Sequence, residues 1–164
     1  MKQGEGVEWA LHCAALLAAI PPGTLLSGRA LAQFHGVSES YLLKHLKALV
    51  KSGILDALPG PRGGYRLARP AEQITLLEIV QAIQGRQPAF RCTEIRQRGP
   101  ACLEPEAYPF PCAVNVAMLR AEAAWKEVLR SQSLAQLVAT VRERADPRAA
   151  EKFAAWLGEN LRGG

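Results

Sequence analysis

A chain of 164 residues with 49% hydrophobic and 6% aromatic residues suits one largely helical domain, or one small domain with an appendage. Its longest apolar run, Cys13 to Ile20, falls far short of the ~20 residues a membrane span needs, and the opening residues lack the build of a secretion signal. A cytoplasmic protein with reduced thiols is expected, so its four cysteines read as ligands, redox sensors or core residues rather than structural disulfides. The net charge of +5 is local: residues 28–69 hold seven basic side chains against two acidic ones, and the rest of the chain balances.

The first helix is predicted from about Gly6 to Ala19, where Val7, Leu11, Ala14 and Ala18 recur at helical spacing, and Pro21-Pro22-Gly23 stops it. A second runs from about Ser27 to Phe34 with Ala30, Leu31 and Phe34 as its buried face. Gly36 in the turn tolerates the positive φ a helix end favours. Ser38 is placed to cap a third helix, Glu39 to Ser52, with Leu42, Leu46, Leu49 and Val50 inward and Tyr41, Lys44, His45, Lys47 and Lys51 outward. Ile54–Leu58 and Tyr65–Leu67 flank a Gly/Pro-rich tip and read as a β-hairpin. A helix follows from about Thr75 to Gln84, then an irregular, proline-broken stretch to Pro111. A long helix (about Ala113 to Ser131) and two shorter ones (Ser133 to Ala145, Pro147 to Leu161) close the chain, the last with Asp146 and Pro147 as a start signal. The fold class is mainly α with a small β-hairpin wing. Residues 1–84 form a winged helix-turn-helix, 85–112 a cysteine-bearing loop, and 113–164 the long helix and its successors.

Helix, turn, helix and wing, carrying the whole charge excess, fit a DNA-reading head, since neutralising phosphates releases condensed counterions. In such a unit the second helix enters the major groove. Ser38, Ser40 and Tyr41 at its start, with Lys44 and Lys47 further on, are the candidates for base and phosphate contact. Arg62, at the wing tip among glycines, suits the minor groove.

Cys92, Cys102 and Cys112 are spaced ten apart in the irregular stretch, whereas Cys13 sits among core-type residues. No Cys-x-x-Cys pair is present, which argues against an ordinary zinc ribbon. Wider gaps suit a cluster whose metal atoms are spread over a few ångströms.

From Glu8 to about Val138 the chain resembles the IscR/NsrR/RsrR-type (Rrf) bacterial winged-helix regulators. The resemblance is carried by Val7-Glu8-Trp9-Ala10-Leu11-His12-Cys13, by Val37-Ser38 with Ser40-Tyr41-Leu42, and by Gly60-Pro61-Arg62-Gly63-Gly64-Tyr65-Arg66-Leu67. Ile74-Thr75-Leu76, the run Cys92 to Pro100, and Pro111-Cys112 complete it, and the Glu8-Trp9 opening is most similar to the redox-responsive RsrR branch. The resemblance implies a homodimer joined through the long helix, binding promoter DNA at two half-sites, with an iron–sulfur cluster setting affinity. It implies thiolate ligands among Cys92, Cys102 and Cys112, an acidic ligand at Glu8 and an imidazole ligand at His35. Trp9 is then a candidate lever and His12 an orienting neighbour. Asn115 stands where the IscR pattern has histidine, and the cysteine gaps are longer than in IscR.

The favoured expectation is a [2Fe-2S] centre held by Glu8 and His35 of one subunit and Cys102 and Cys112 of the other, with a [4Fe-4S] centre on three cysteines and Glu8 as runner-up. Function follows as a redox- or NO-sensing transcriptional regulator, a repressor by preference, with no small-molecule substrate. A cluster-free thiol-switch repressor is the alternative. No nucleotide loop, Ser/His/Asp order or metalloprotease motif points to an enzyme.

Overall fold

The computed structural model describes residues 4–163. In chain order these form α1 (Glu5–Ala19), β1 (Thr24–Leu25), α2 (Gly28–His35), α3 (Glu39–Lys51), β2 (Leu55–Leu58), β3 (Gly64–Leu67), α4 (Leu76–Gln84), α5 (Ala113–Arg130), α6 (Leu134–Arg144), α7 (Pro147–Asn160) and β4 (Arg162–Gly163). The expected helical fold with a hairpin wing is present, and its boundaries follow local chemistry. Ser27 caps α2 by accepting from the Ala30 amide at 3.0 Å, and Gly36 closes that helix at φ 65°. Thr75 with Glu78 and Ser133 with Gln136 form reciprocal capping boxes for α4 and α6. Asp146 and Pro147 start α7.

Strands β2 and β3 pair from Leu55↔Leu67 to Leu58↔Gly64. The wing turn between them depends on glycine: a Cβ at Gly63 would lie 2.0 Å from the Leu58 carbonyl oxygen, and one at Gly64 2.5 Å from that of Leu26. Leu26 bridges to Tyr65, which ties the wing to the segment after β1. One pairing was not expected: β4 returns from the far end of the sequence to pair antiparallel with β1, Thr24 opposite Gly163 and Leu25 opposite Arg162.

The core lies among α1, α2, α3, α4 and α6, where Ala10, Leu31, Leu42, Leu46, Leu49, Ile79 and Leu134 are fully or almost fully buried. Each such leucine contributes about 1.5–3 kcal/mol through burial. Cys13 belongs to this core, and burial pushes its thiol up to about 12, which removes it from redox or ligand chemistry.

Two sequence expectations are corrected. Phe34 is 40% exposed rather than buried: its ring stands outside the core and packs at the surface against α7, with the centroids of Phe153 and Trp156 5.8 and 4.6 Å away. His45 is not outward. It fills a notch over α1, where Gly6 has no side chain and a Cβ would come within 2.3 Å of the imidazole.

On α5, Glu122 alone is buried, while Val114, Met118, Leu119 and Val128 remain exposed. Among the described residues no helix is long and apolar enough to cross a membrane.

Candidate nucleic-acid interface and cysteine site

Helix α3 is fixed from behind by Leu42, Leu46 and Leu49, so its other side is offered to solvent. Ser38, Ser40, Tyr41, Lys44 and Lys47 all lie on that exposed side, and Arg62 is exposed at the wing tip. Ser38 stands at the N-cap position without a capping bond. Its Oγ is instead 3.1 Å from that of Ser40, which leaves both hydroxyls at the surface. Trp9 of α1 meets this helix edge-on, 5.6 Å from the ring of Tyr41 and 6.1 Å from that of His45.

Burial, then the neighbouring Lys44 charge, lowers the pKa of His45; burial, then His12, lowers that of His35. The unfolded chain therefore binds more protons in acid than the folded one. This stability is fully present above the ordinary imidazole value of 6.5 and is lost as pH falls through the lowered values. The unfolding midpoint is expected to drop between about pH 7.5 and about pH 5.5, and His45→Gln to blunt the drop. Equal pH profiles for variant and wild type would contradict this.

The cysteine loop is built rather than loose. At its start the buried Glu122 of α5 accepts from the Ala89 amide at 2.9 Å and pairs with Lys126 at 2.6 Å. The Lys126 ammonium holds that carboxyl below the ordinary range, outweighing the burial that opposes it. Further on, Arg96 joins the two limbs. It binds Glu94 at 2.7 Å and the Phe110 carbonyl at 2.7 Å, and lies 5.1 Å from the centre of the Tyr108 ring. The Tyr108 hydroxyl donates to the Arg96 carbonyl at 3.1 Å and accepts from the Leu103 amide at 3.0 Å.

This stapling brings Cys92 and Cys112 together. A ligand atom of each, with one from Glu94, all lie within 4.8 Å of one another. Glu94 holds φ 50°, the one positive φ at a non-glycine residue in the described chain, a strained conformation of the kind that clusters at functional sites. Cys112 precedes α5, and the amides of Asn115 and then Val114 favour its thiolate, so its pKa lies below the ordinary thiol value. The Glu94 amide also favours the Cys92 thiolate, yet burial and the Cys112 sulfur push the Cys92 thiol up. Cys102 is exposed and lies outside this group. Sequence reasoning missed Glu94 and the loop's two fasteners, Arg96 and Glu122. A carboxylate two residues after a loop cysteine was the available signal for the first.

The other expected ligands lie on α1 and α2, away from the cysteine loop's own group. Glu8 and His12, one turn apart on α1, line a groove of about 460 Å³ with Leu11, Ala15, Leu137 and Val141. His35 lies beside His12, ring centroids 5.7 Å apart. Its Nε2 is buried and finds no hydrogen-bond partner among the described residues.

Over residues 4–140 the chain matches the Rrf2 family, described as an iron-dependent transcriptional regulator. It belongs to the Rrf2 family of transcriptional regulators. This Rrf2 chain is 31% identical over 163 residues to the HTH-type transcriptional regulator YwgB of Bacillus subtilis (strain 168), covering 99% of each. It is 32% identical over 137 residues to the HTH-type regulator YffB of Lactococcus lactis subsp. lactis (strain IL1403), covering 84% of the chain and 86% of YffB. Among solved structures, the global cysteine regulator CymR of B. subtilis is similar with a TM-score of 0.66 at 23% identity, over 85% of this chain and 98% of CymR. IscR of T. potens gives 0.65 at 21% identity, over 92% and 96%. These likenesses show the fold. The family and its named relatives are DNA-binding transcriptional regulators, not enzymes.

Proposed function

We propose that this Rrf2 regulator is a homodimeric repressor whose affinity for promoter DNA is set by an iron–sulfur cluster. The observation that carries this reading is the convergence of the Cys92 and Cys112 sulfurs with Glu94 within 4.8 Å. Two thiolates on one tetrahedral metal ion, at ~2.3 Å each, stand roughly 3.8 Å apart, within this span. Helix-terminal amides bias Cys112 toward the ligating thiolate, and the orphaned Nε2 of His35 suits a neutral imidazole donor.

A [2Fe-2S] centre held by Cys92 and Cys112 of one subunit and by Glu8 and His35 of the other fits best. Cys102, the favoured second thiolate on sequence grounds, gives way to Cys92 on this argument. When bound, the centre supplies a one-electron couple whose potential imidazole and carboxylate donors raise. Residues 1–84 then read DNA, 85–112 sense, and 113–164 dimerise. Glu8 adjoins Trp9, and Trp9 touches Tyr41, so the head has a direct packed path from the ligand groove to the reading helix. Val114, Met118, Ala121, Trp125 and Val128 recur at three- and four-residue steps along α5, a seam that a second copy would cover.

Iron and sulfide counts on anaerobically purified protein, with an absorbance spectrum, test the sensor. Promoter-fragment shifts of oxidised, reduced and apo forms test the coupling, and identical affinity in all three would reject it. A second reading rests on the same two sulfurs. Without metal, Cys92 and Cys112 could join as a disulfide, each thiol yielding one proton and one electron to an oxidant. Colourless, iron-free protein whose DNA binding changes on oxidation would favour that reading.

A further inference from the structure

The family match ends at residue 140, yet the elements beyond it are docked on the DNA head. Phe153 and Trp156 of α7 cover Phe34 of α2, and β4 then pairs with β1. From β4 the Arg162 guanidinium donates from Nη1 to the Pro61 carbonyl at 3.0 Å and the Gly63 carbonyl at 2.8 Å. These two carbonyls flank Arg62. The turn around them contains Gly60, at φ 98°, and Gly63, so an untethered tip would sample many conformations.

We propose that Arg162 is a positioning residue for DNA binding: it holds the carbonyls of Pro61 and Gly63, the residues on either side of Arg62, and so presents that cation to the groove in one orientation. The inference rests on the DNA-reading assignment of α3 and the wing given above. An arginine suits the role because the two N–H bonds of its planar Nη1 point in fixed directions, one to each carbonyl, whereas a lysine ammonium is a flexible point charge. Ordering the wing before DNA arrives lowers what association must spend on immobilising it.

The test uses the full chain and a duplex selected by the wild type from a random-sequence pool. Arg162→Ala is expected to weaken binding roughly five- to tenfold and to add little when combined with Arg62→Ala, because both changes remove one contact. It should also speed deuterium uptake over residues 59–64 without DNA and erase the wing's minor-groove protection from hydroxyl radicals, while the protection due to α3 persists. Unchanged uptake, or effects of the two substitutions that simply multiply, would overturn the clamp. Arg162→Lys keeps the cation and one bond and is expected to recover part of the affinity. If affinity and protection simply follow the unfolding midpoint across Arg162→Ala and Arg162→Lys while uptake over residues 59–64 stays at the wild-type rate, Arg162 has only a structural part. A full effect of Lys44→Ala beside none of Arg162→Ala rejects the clamp alone, whereas a wild type that selects no duplex rejects the DNA-reading assignment as well.

Discussion

Cys112→Ser is expected to give a colourless protein whose iron and sulfide per chain fall more than about tenfold, since even groups that merely orient a ligand are worth about 10- to 100-fold in metal affinity. Cys92→Ser should behave alike, and Cys102→Ser should keep both colour and iron. The contrast follows from the loop's fasteners. Arg96 holds the limb bearing Glu94 against the limb bearing Phe110, and Glu122 pins the loop's entry to α5. Cys102 sits on the exposed bend between those limbs. His35→Ala probes the share proposed for the other subunit and is expected to lower iron retention, because it removes the unpartnered Nε2 proposed as a donor. Full iron in Cys92→Ser with loss in Cys102→Ser would return the second thiolate to Cys102.

Lys44→Ala and Lys47→Ala should each weaken duplex binding roughly five- to tenfold near 0.1 M salt and lower the slope of log affinity against log salt by about 0.9. Together they should lower it by about two units, with no preference for one duplex sequence over another. Both side chains are exposed on α3 while Leu42, Leu46 and Leu49 hold the helix from behind, so the unfolding midpoint should stay put. Ser40→Ala is the complementary probe, because a hydroxyl near base edges alters which sequence is preferred rather than the salt slope. A salt slope unchanged in the double variant would exclude α3 as the phosphate-facing element.

Helix existence and boundaries were legible because they are local: Ser27, Gly36, Thr75, Ser133 and the Asp146-Pro147 pair act within a turn of where they stand. The local charge excess on α3 and the wing was legible for the same reason, since it needs only a count of side chains along the chain. What escaped depends on partners distant in sequence. His45 turned inward because a missing side chain at Gly6 makes room for it, and Phe34 met α7 instead of the core. Strands β1 and β4 are two residues each, too short for alternation to register. Even spacing gave no physical ground for ranking the three loop cysteines, and the sequence expectation paired Cys102 with Cys112. Only the folded loop separates Cys102 from the other two, through contacts of Arg96, Tyr108 and Glu122 that spacing does not encode.

Cys112 immediately precedes the 18 residues of α5, which span about 27 Å at the standard helical rise. Sulfur chemistry and the apolar seam therefore share one stiff rod. A pivot of about 5° at its first residue sweeps the far end through roughly 2 Å, comparable to the helix shifts that switch subunit interfaces. In the proposed dimer, small geometric changes at one thiol would thus reach the spacing between its two recognition units as mechanical gain, without any part of the rod having to unfold.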